Sequence, residues 1–190
     1  MRFAAIVSAL ALSACAFSSD APLFTLDQGA FPFAEGARFD WDEPFPQGER
    51  FDVTFHRTEH GYEMIEAAQP DKPMRVMFVP IADTPQEDYV AQVDLRPDET
   101  AYAYAFMWRA DDVFIIVSDP GTVEPGSKRI QHADAYCTWS QYGECQLSSA
   151  ENALALYHAA IYPRFVAHDD LPGHYTELVP QALRNSRTTK

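Results

Sequence analysis

The sequence has few cysteines, few basic residues and no long hydrophobic segment. Its 190 residues include 3 cysteines, and 14 basic residues stand against 28 acidic ones, which gives a formal net charge of −14 at pH 7. This negative charge disfavours nucleic acid and anionic lipid surfaces as partners, because both would repel it. The charge is typical of a soluble surface, and a docking face for a basic protein partner is the alternative.

Motifs that carry common enzyme chemistry are also missing. The chain has no G-x-S-x-G, no H-E-x-x-H, no glycine-rich phosphate loop and no C-x-x-C. We therefore assign no catalytic residue, and we expect neither a metal nor a cofactor.

The apolar segment at the start of the chain is short. Arg2 precedes an apolar run from Phe3 to Ala14, and a helix of that length spans roughly 18 Å, less than the ~30 Å hydrocarbon core of a bilayer. A charged start, a short apolar stretch and small residues at its end are typical of a secretory signal. We expect residues 1–14 to be a signal peptide rather than a membrane span or a buried first element.

Residues 12–15, Leu-Ser-Ala-Cys, resemble the lipobox of bacterial lipoprotein signals. The resemblance covers residues 1–15 only, and it implies cleavage before Cys15 and attachment of fatty acyl chains, such as palmitate, to its sulfur and new amine. Several chains hold a protein on a membrane more firmly than one, at about 0.8 kcal/mol per buried methylene. Because Ala16 rather than aspartate follows, the resemblance implies the outer membrane, facing the periplasm, rather than the inner membrane.

The other two cysteines, Cys137 and Cys145, make an even pair in an oxidising compartment. This predicts a disulfide, and closing so short a loop contributes about 2.5 kcal/mol in the chain-entropy model. A catalytic or metal-binding thiol pair is the alternative, but His132 is the only histidine near it.

Residues 16–48 are rich in proline, glycine and aromatic residues. Their prolines remove backbone donors that a helix or a central strand would need. We expect residues 15–30 to be the lipidated N-terminus and a tether, and the aromatic residues that follow to lie on a folded domain as an irregular strap or an edge strand. A single β-rich domain then spans residues 31–180, and residues 181–190 form a disordered tail.

From Arg50 onward, apolar and polar side chains alternate, which is typical of strands. The pattern predicts a hairpin over residues 50–67 with Gly61 near its corner. Strands follow in MRVMFVP and DYVAQVDL, and AYAYAFMW and VFIIV form a second hairpin. The segment HYTELV has the pattern of one further short strand.

One helix is marked by the S-x-x-E capping box of Ser148 and Glu151 and is ended by Pro163. An apolar stripe lies between them at helical spacing: Ala150, Leu154, Tyr157 and Ile161. The predicted fold class is mainly β (α+β). It is an antiparallel meander sheet, or a small partly closed barrel, of about six strands with one packed α-helix. Periodicity does not choose between the open sheet and the barrel.

One predicted strand carries large rings on one face and small side chains on the other. The rings, called the aromatic ladder below, belong to Tyr102, Tyr104, Phe106 and Trp108. A strand that is apolar on both faces is covered on both faces, and we expect the helix to pack on the alanine face. The ladder is then either core or, if the sheet closes around it, a surface for a lipid or sugar ligand.

Three groups of polar residues have the composition that catalysis or metal binding needs. We interpret them as solvated surface, because closeness in sequence does not bring side chains together: Ser140 with His132 and Asp134, His56 with His60, and His168 with Asp169 and Asp170. Asp111 and Asp112 are interpreted as turn formers. A carboxylate pair for glycoside hydrolysis stays open, because sequence does not set the separation of two acids.

These observations predict a non-enzymatic outer-membrane lipoprotein that binds a protein partner or a small apolar ligand. A periplasmic inhibitor of a secreted hydrolase and a hydrolase with an unrecognised site are the alternatives. A cleft that joins histidine, serine and carboxylate would favour the hydrolase, and an empty apolar cavity beneath the ladder would favour ligand binding. If neither is present, a protein partner is favoured.

Overall fold

The computed structural model describes residues 17–42, 50–84, 86–95, 101–118, 135–140, 144–163 and 176–183. Cys15, His132, Asp134 and residues 168–170 lie outside this part of the chain, and so do the predictions made for them. None of the described helices is long and apolar enough to cross a bilayer.

The described residues form eleven β-strands and one short helix. The strands are β1 Phe17–Ser19, β2 Ala37–Asp42, β3 Arg50–Arg57, β4 Tyr62–Glu66, β5 Met74–Pro80, β6 Asp88–Asp94, β7 Tyr102–Ala110, β8 Val113–Val117, β9 Thr138–Trp139, β10 Cys145–Gln146 and β11 Thr176–Pro180. Helix α1, Ala150–Leu156, continues as a π-helical turn over Tyr157–Ile161, and a 3-10 turn spans Leu26–Gln28.

Eight of these strands close into an antiparallel barrel. Strands β2 to β8 follow one another as a meander, β11 pairs with both β8 and β2, and β6 pairs with β7. The predicted mainly β, antiparallel meander fold with one helix is confirmed. About six strands and a partly closed barrel were expected. The barrel instead has eight strands and is closed, because β2 and β11 complete the ring and remove its open edges.

The half of the barrel interior that lies near the β3–β4 turn is filled by aromatic rings, with Phe33 at their centre. Phe33 enters from the segment before β2, and its ring lies 4.7 to 5.8 Å from five others: Phe39, Phe55, Tyr62, Phe78 and Phe114. The Tyr62 hydroxyl accepts a hydrogen bond from the Phe33 amide at 2.9 Å and donates one to the Phe33 carbonyl at 2.7 Å. This end of the barrel, called the plugged end below, is packed as a core.

The two faces of β7 have the opposite roles from those expected. The alanine face points into the barrel, where Ala103 and Ala105 pack with the interior rings. The aromatic ladder points outward and forms a second core with α1 and the N-terminal segment. The small side chains are needed inside because the barrel already holds large rings, and the helix covers the aromatic face instead.

Residues 17–30 of the N-terminal segment pack on the domain, whereas residues 15–30 were expected to form the lipidated N-terminus and a tether. Strand β1 pairs with β7 and β10, and the side chains of Phe17 and Phe24 are buried. The apolar rings of this segment gain burial only if it packs on the barrel, which is why it does not extend into solvent. At the other end of the chain, residues 181–183 form a helical turn, and residues 184–190 lie outside the described part.

Candidate functional site

Two buried side chains on the outer wall of the barrel hold the N-terminal segment. The Gln92 carbonyl oxygen accepts hydrogen bonds from the amides of Leu23 and Phe24, each at 3.0 Å. The Tyr104 hydroxyl lies 2.8 Å from the Ser19 hydroxyl and accepts from the Leu23 amide at 3.1 Å. Burial raises the pKa of Tyr104, so its hydroxyl stays protonated at neutral pH. This clamp fixes the path of residues 19–24 across β6 and β7.

A cleft of about 730 Å³ lies between this segment and the barrel wall. One wall is apolar and comes from Pro22, Phe24 and Leu26, and another is the β3–β4 turn at residues 58–61. The remaining wall is the outer face of β4 to β7: Glu63, Arg75, Met77, Gln92, Asp94 and Tyr102. The volume lies within the range of about 300–1,000 Å³ seen for binding sites.

The cleft has a row of charged and polar residues in strand register across its base. Glu63 lies opposite Arg75, Arg75 opposite Asp94, and Asp94 opposite Tyr102. Directly opposed residues of an antiparallel pair have Cβ atoms roughly 4.5–5.5 Å apart, so the row is continuous across four strands. Together with Glu59 and His60 at the rim, it gives the cleft more carboxylates than cations.

The β3–β4 turn that borders the cleft depends on Gly61. Its φ angle is +156°, and a Cβ there would meet the Val76 carbonyl oxygen at 2.5 Å. The turn therefore lies directly on β5, with His60 and Glu59 projecting from it; their side chains come within 3.6 Å of each other. The predicted hairpin corner at Gly61 is confirmed.

The predicted site residues are distributed between the two cores and do not converge. Cys137 and Cys145 form the expected disulfide, with a Cα separation of 5.0 Å. Tyr104, Phe106 and Trp108 are buried in the outer core beneath α1, where Tyr157 stacks on Phe106 at 5.5 Å. Of the ladder, Tyr102 alone is among the residues that line the cleft.

The polar groups singled out from sequence have local roles where the structure describes them. The Ser140 hydroxyl accepts from the Glu144 amide at 3.2 Å, and Asp111 takes a positive φ of 52° in the β7–β8 turn. His56 pairs with Glu35 at 3.0 Å, on the surface near Phe33. No group of three metal-ligating side chains is found among the described residues.

A buried carboxyl group lies beneath helix α1, and sequence gave no sign of it. Asp88, at the start of β6, is 3% exposed, and its Oδ2 accepts a hydrogen bond from the Tyr157 hydroxyl at 2.7 Å. Its Oδ1 is buried and has no hydrogen-bond partner among the described residues. Burial, and next the hydrogen bond to Asp88, raise the pKa of Tyr157 far above its ordinary value, so this hydroxyl remains a donor. The helical spacing of the sequence indicates only that Tyr157 belongs to an apolar stripe.

The end of the barrel opposite the plugged end is less tightly covered by the described residues. Trp41 and Phe51 stack there, with ring centroids 5.5 Å apart, and Met74 and Leu95 also face the interior and are partly buried. Residues 43–49 and 96–100, between β2 and β3 and between β6 and β7 in the sequence, lie outside the described part.

The fold and the cleft define a class: a closed eight-stranded antiparallel barrel, plugged at one end, with a candidate binding cleft on its outer wall. No protein-family model matches the chain, and no curated protein or solved structure is significantly similar to it.

Proposed function

We propose that the protein is a non-enzymatic lipoprotein of the outer membrane, anchored by Cys15 and facing the periplasm, that binds an envelope protein through its outer cleft. The anchor rests on the lipobox-type sequence at residues 12–15. The binding role rests on one observation: the cleft combines an apolar wall with a base of charged residues, whereas the aromatic ladder is buried.

The composition of the cleft favours a partner segment that carries a basic residue beside an apolar one. Glu59, Glu63 and Asp94 supply three carboxylates against the single guanidinium of Arg75. A cation of the partner is attracted to that base, and the chain's net charge of −14 adds to the attraction at low salt. Leu26, which is 58% exposed, offers the partner an apolar contact at the rim.

The described lining of the cleft does not match that of a serine or cysteine hydrolase. Neither serine nor cysteine is among the described residues that line it, and those hydrolases need such a nucleophile beside a base. His60 lies at the rim, where its Nε2 is 3.6 Å from Oε1 of Glu59 in an exposed pair on a turn. Tyr104, Phe106 and Trp108 of the ladder are buried in the outer core and do not line the cleft.

The test is affinity capture of the anchored protein from gently solubilised envelopes, with mass spectrometry of the proteins and lipids that co-purify. Leu26→Arg places a cation in the cleft and removes an apolar contact, so it is expected to reduce recovery of the partner roughly tenfold. Phe31→Arg is the matched control, because Phe31 is also exposed on the same segment, at 42%, but does not line the cleft.

The outcomes separate the candidate functions. A protein that is lost with Leu26→Arg, retained with Phe31→Arg and released by salt supports the proposal. A protein lost equally with both variants contradicts binding in the cleft. Recovery of a lipid and no protein would favour the reading in which the barrel holds a small apolar ligand. A secreted hydrolase as the partner, inhibited by the wild type and not by Leu26→Arg, would identify an inhibitor.

A further inference from the structure

Strand β1, which follows the expected lipidation site almost at once, is built into the sheet. Phe17 lies opposite Tyr104 of β7 on one side and Cys145 of β10 on the other. Its side chain is fully buried, and its ring packs edge-on against Phe106 at 5.3 Å. The Leu147 amide also donates to the Ser18 carbonyl at 2.8 Å. Pulling β1 away would open the outer core.

The disulfide strengthens the same attachment. Cys145, the residue opposite Phe17, is bonded to Cys137, and β10 pairs with β9 next to it. On the other side of β1, the Ser19 hydroxyl lies 2.8 Å from that of Tyr104, and Gln92 holds the amides of Leu23 and Phe24. The segment is therefore fixed from Phe17 to Phe24, and not merely at one contact.

We infer that in the lipidated protein β1 holds the barrel directly against the membrane surface, without a tether. Only Ala16 separates Cys15 from Phe17, and two steps of extended chain span about 7 Å at most. This inference rests on the acylation of Cys15 proposed above. A free segment over residues 15–30 would instead allow the domain to move about 50 Å from the membrane.

The short connection limits the kind of partner that the cleft reaches. Residues 22–26 form one wall of the cleft, and they follow the fixed strand within a few residues. The cleft is therefore carried close to the bilayer, which favours a partner that lies in or on the same membrane. A partner fixed in the opposite membrane is out of reach.

Neutron reflectometry of the purified lipoprotein on a supported phosphatidylcholine bilayer tests this inference. The expected result is a protein layer in contact with the headgroups, with no resolved water layer between them. A variant with fifteen Gly/Ser residues inserted between Ala16 and Phe17 is the matched control, and it is expected to open a gap of about 20 Å.

A water layer of that size beneath the protein without the insertion would overturn the inference, because β1 would then have left the barrel. Acylation is read separately from the mass of the N-terminal peptide. An unacylated Cys15 overturns the proposed anchor, whereas a gap beneath a correctly acylated protein overturns only the absence of a tether.

Discussion

At the scale of single residues, one hydroxyl group donates a hydrogen bond to one oxygen of a carboxyl group that is buried beneath helix α1. Tyr157 donates to Oδ2 of Asp88 at 2.7 Å, and no residue in the described part of the chain bonds to Oδ1. A buried polar group without a hydrogen-bond partner lowers the free energy of unfolding. Loss of the one remaining bond to Asp88 is therefore expected to destabilise the protein more than loss of an average hydrogen bond. Sequence did not reveal the pair because its members are 69 positions apart and Tyr157 occurs in an apolar stripe.

Replacing Tyr157 with phenylalanine is expected to destabilise the protein by about 1–3 kcal/mol, because the Asp88 carboxyl then loses its donor while staying buried. The measurement is urea unfolding followed by circular dichroism. Tyr162→Phe, the same change one helical turn further on, is the control, since among the described residues its hydroxyl makes no hydrogen bond. Equal stability of the two variants would contradict the role given to Tyr157.

The pH dependence of stability is expected to report on Glu35. The Arg57 amide, which donates to Glu35 at 2.6 Å, and next the His56 side chain lower the pKa of Glu35 below its ordinary value. A carboxyl whose pKa is lower in the folded state stabilises it above the unfolded pKa, and this contribution is lost as the pH falls through the folded value. Thermal melts of wild type and Glu35→Gln should therefore differ near neutral pH and converge in acid. A difference that grows toward low pH would contradict this assignment.

At the scale of secondary-structure elements, the sequence predicted strong periodic segments well and weak ones poorly. Strands β3 to β8 were identified from their alternation. Strand β2 was interpreted as a strap or edge strand because prolines precede and follow it, although Phe39 and Trp41 alternate with polar residues. Its place in the ring comes from pairing with β11, a contact between distant parts of the chain that local pattern cannot show.

Helix α1 was identified correctly, but its cap lies one residue later than predicted. Ser149 is the N-cap, and its hydroxyl accepts from the Asn152 amide at 3.2 Å. The Ser148 hydroxyl instead accepts from the Asn152 side chain at 2.8 Å, on the surface. Of the predicted stripe, Tyr157 and Ile161 are buried, whereas Ala150 and Leu154 are only partly buried. The other buried residues on this face are Ala153, Leu156 and Ala160.

Ser149→Ala is expected to lower the free energy of unfolding by about 1 kcal/mol, because it removes the acceptor for a free helix amide. Ser148→Ala, the matched control, is expected to change it by less than about 0.5 kcal/mol. Chemical denaturation of both variants checks the assignment. A larger loss of stability with Ser148→Ala than with Ser149→Ala would identify Ser148 as the N-cap instead.

The disulfide was predicted from cysteine number and compartment, and its place beside β1 adds to its effect. Replacing Cys137 and Cys145 with alanine is expected to lower the free energy of unfolding by about 2.5 kcal/mol. Because Cys145 pairs with Phe17, amide exchange should rise in β1 before it rises in β4 and β5. Uniform exchange across the sheet would contradict the link between the bridge and β1.

At the scale of the whole molecule, the ring closes around a plug of aromatic side chains, and this moves the candidate site outward. The rings around Phe33 fill the plugged end, while the N-terminal segment and the outer face of β4 to β7 form the cleft. Residues 17–33 thus have three roles: they supply the strand next to the expected anchor, one wall of the cleft, and the plug. The cleft could not be predicted, because its walls are far apart in sequence.

Acylation of Cys15 underlies the proposed anchor, location and partner, and the mass of the N-terminal peptide of the protein purified from membranes tests it directly. We predict a chain that begins at Cys15 and carries fatty acyl chains on both its sulfur and its amine. A peptide that still begins at Met1, with an unmodified thiol at position 15, would contradict the anchor, the location and the membrane-bound partner together.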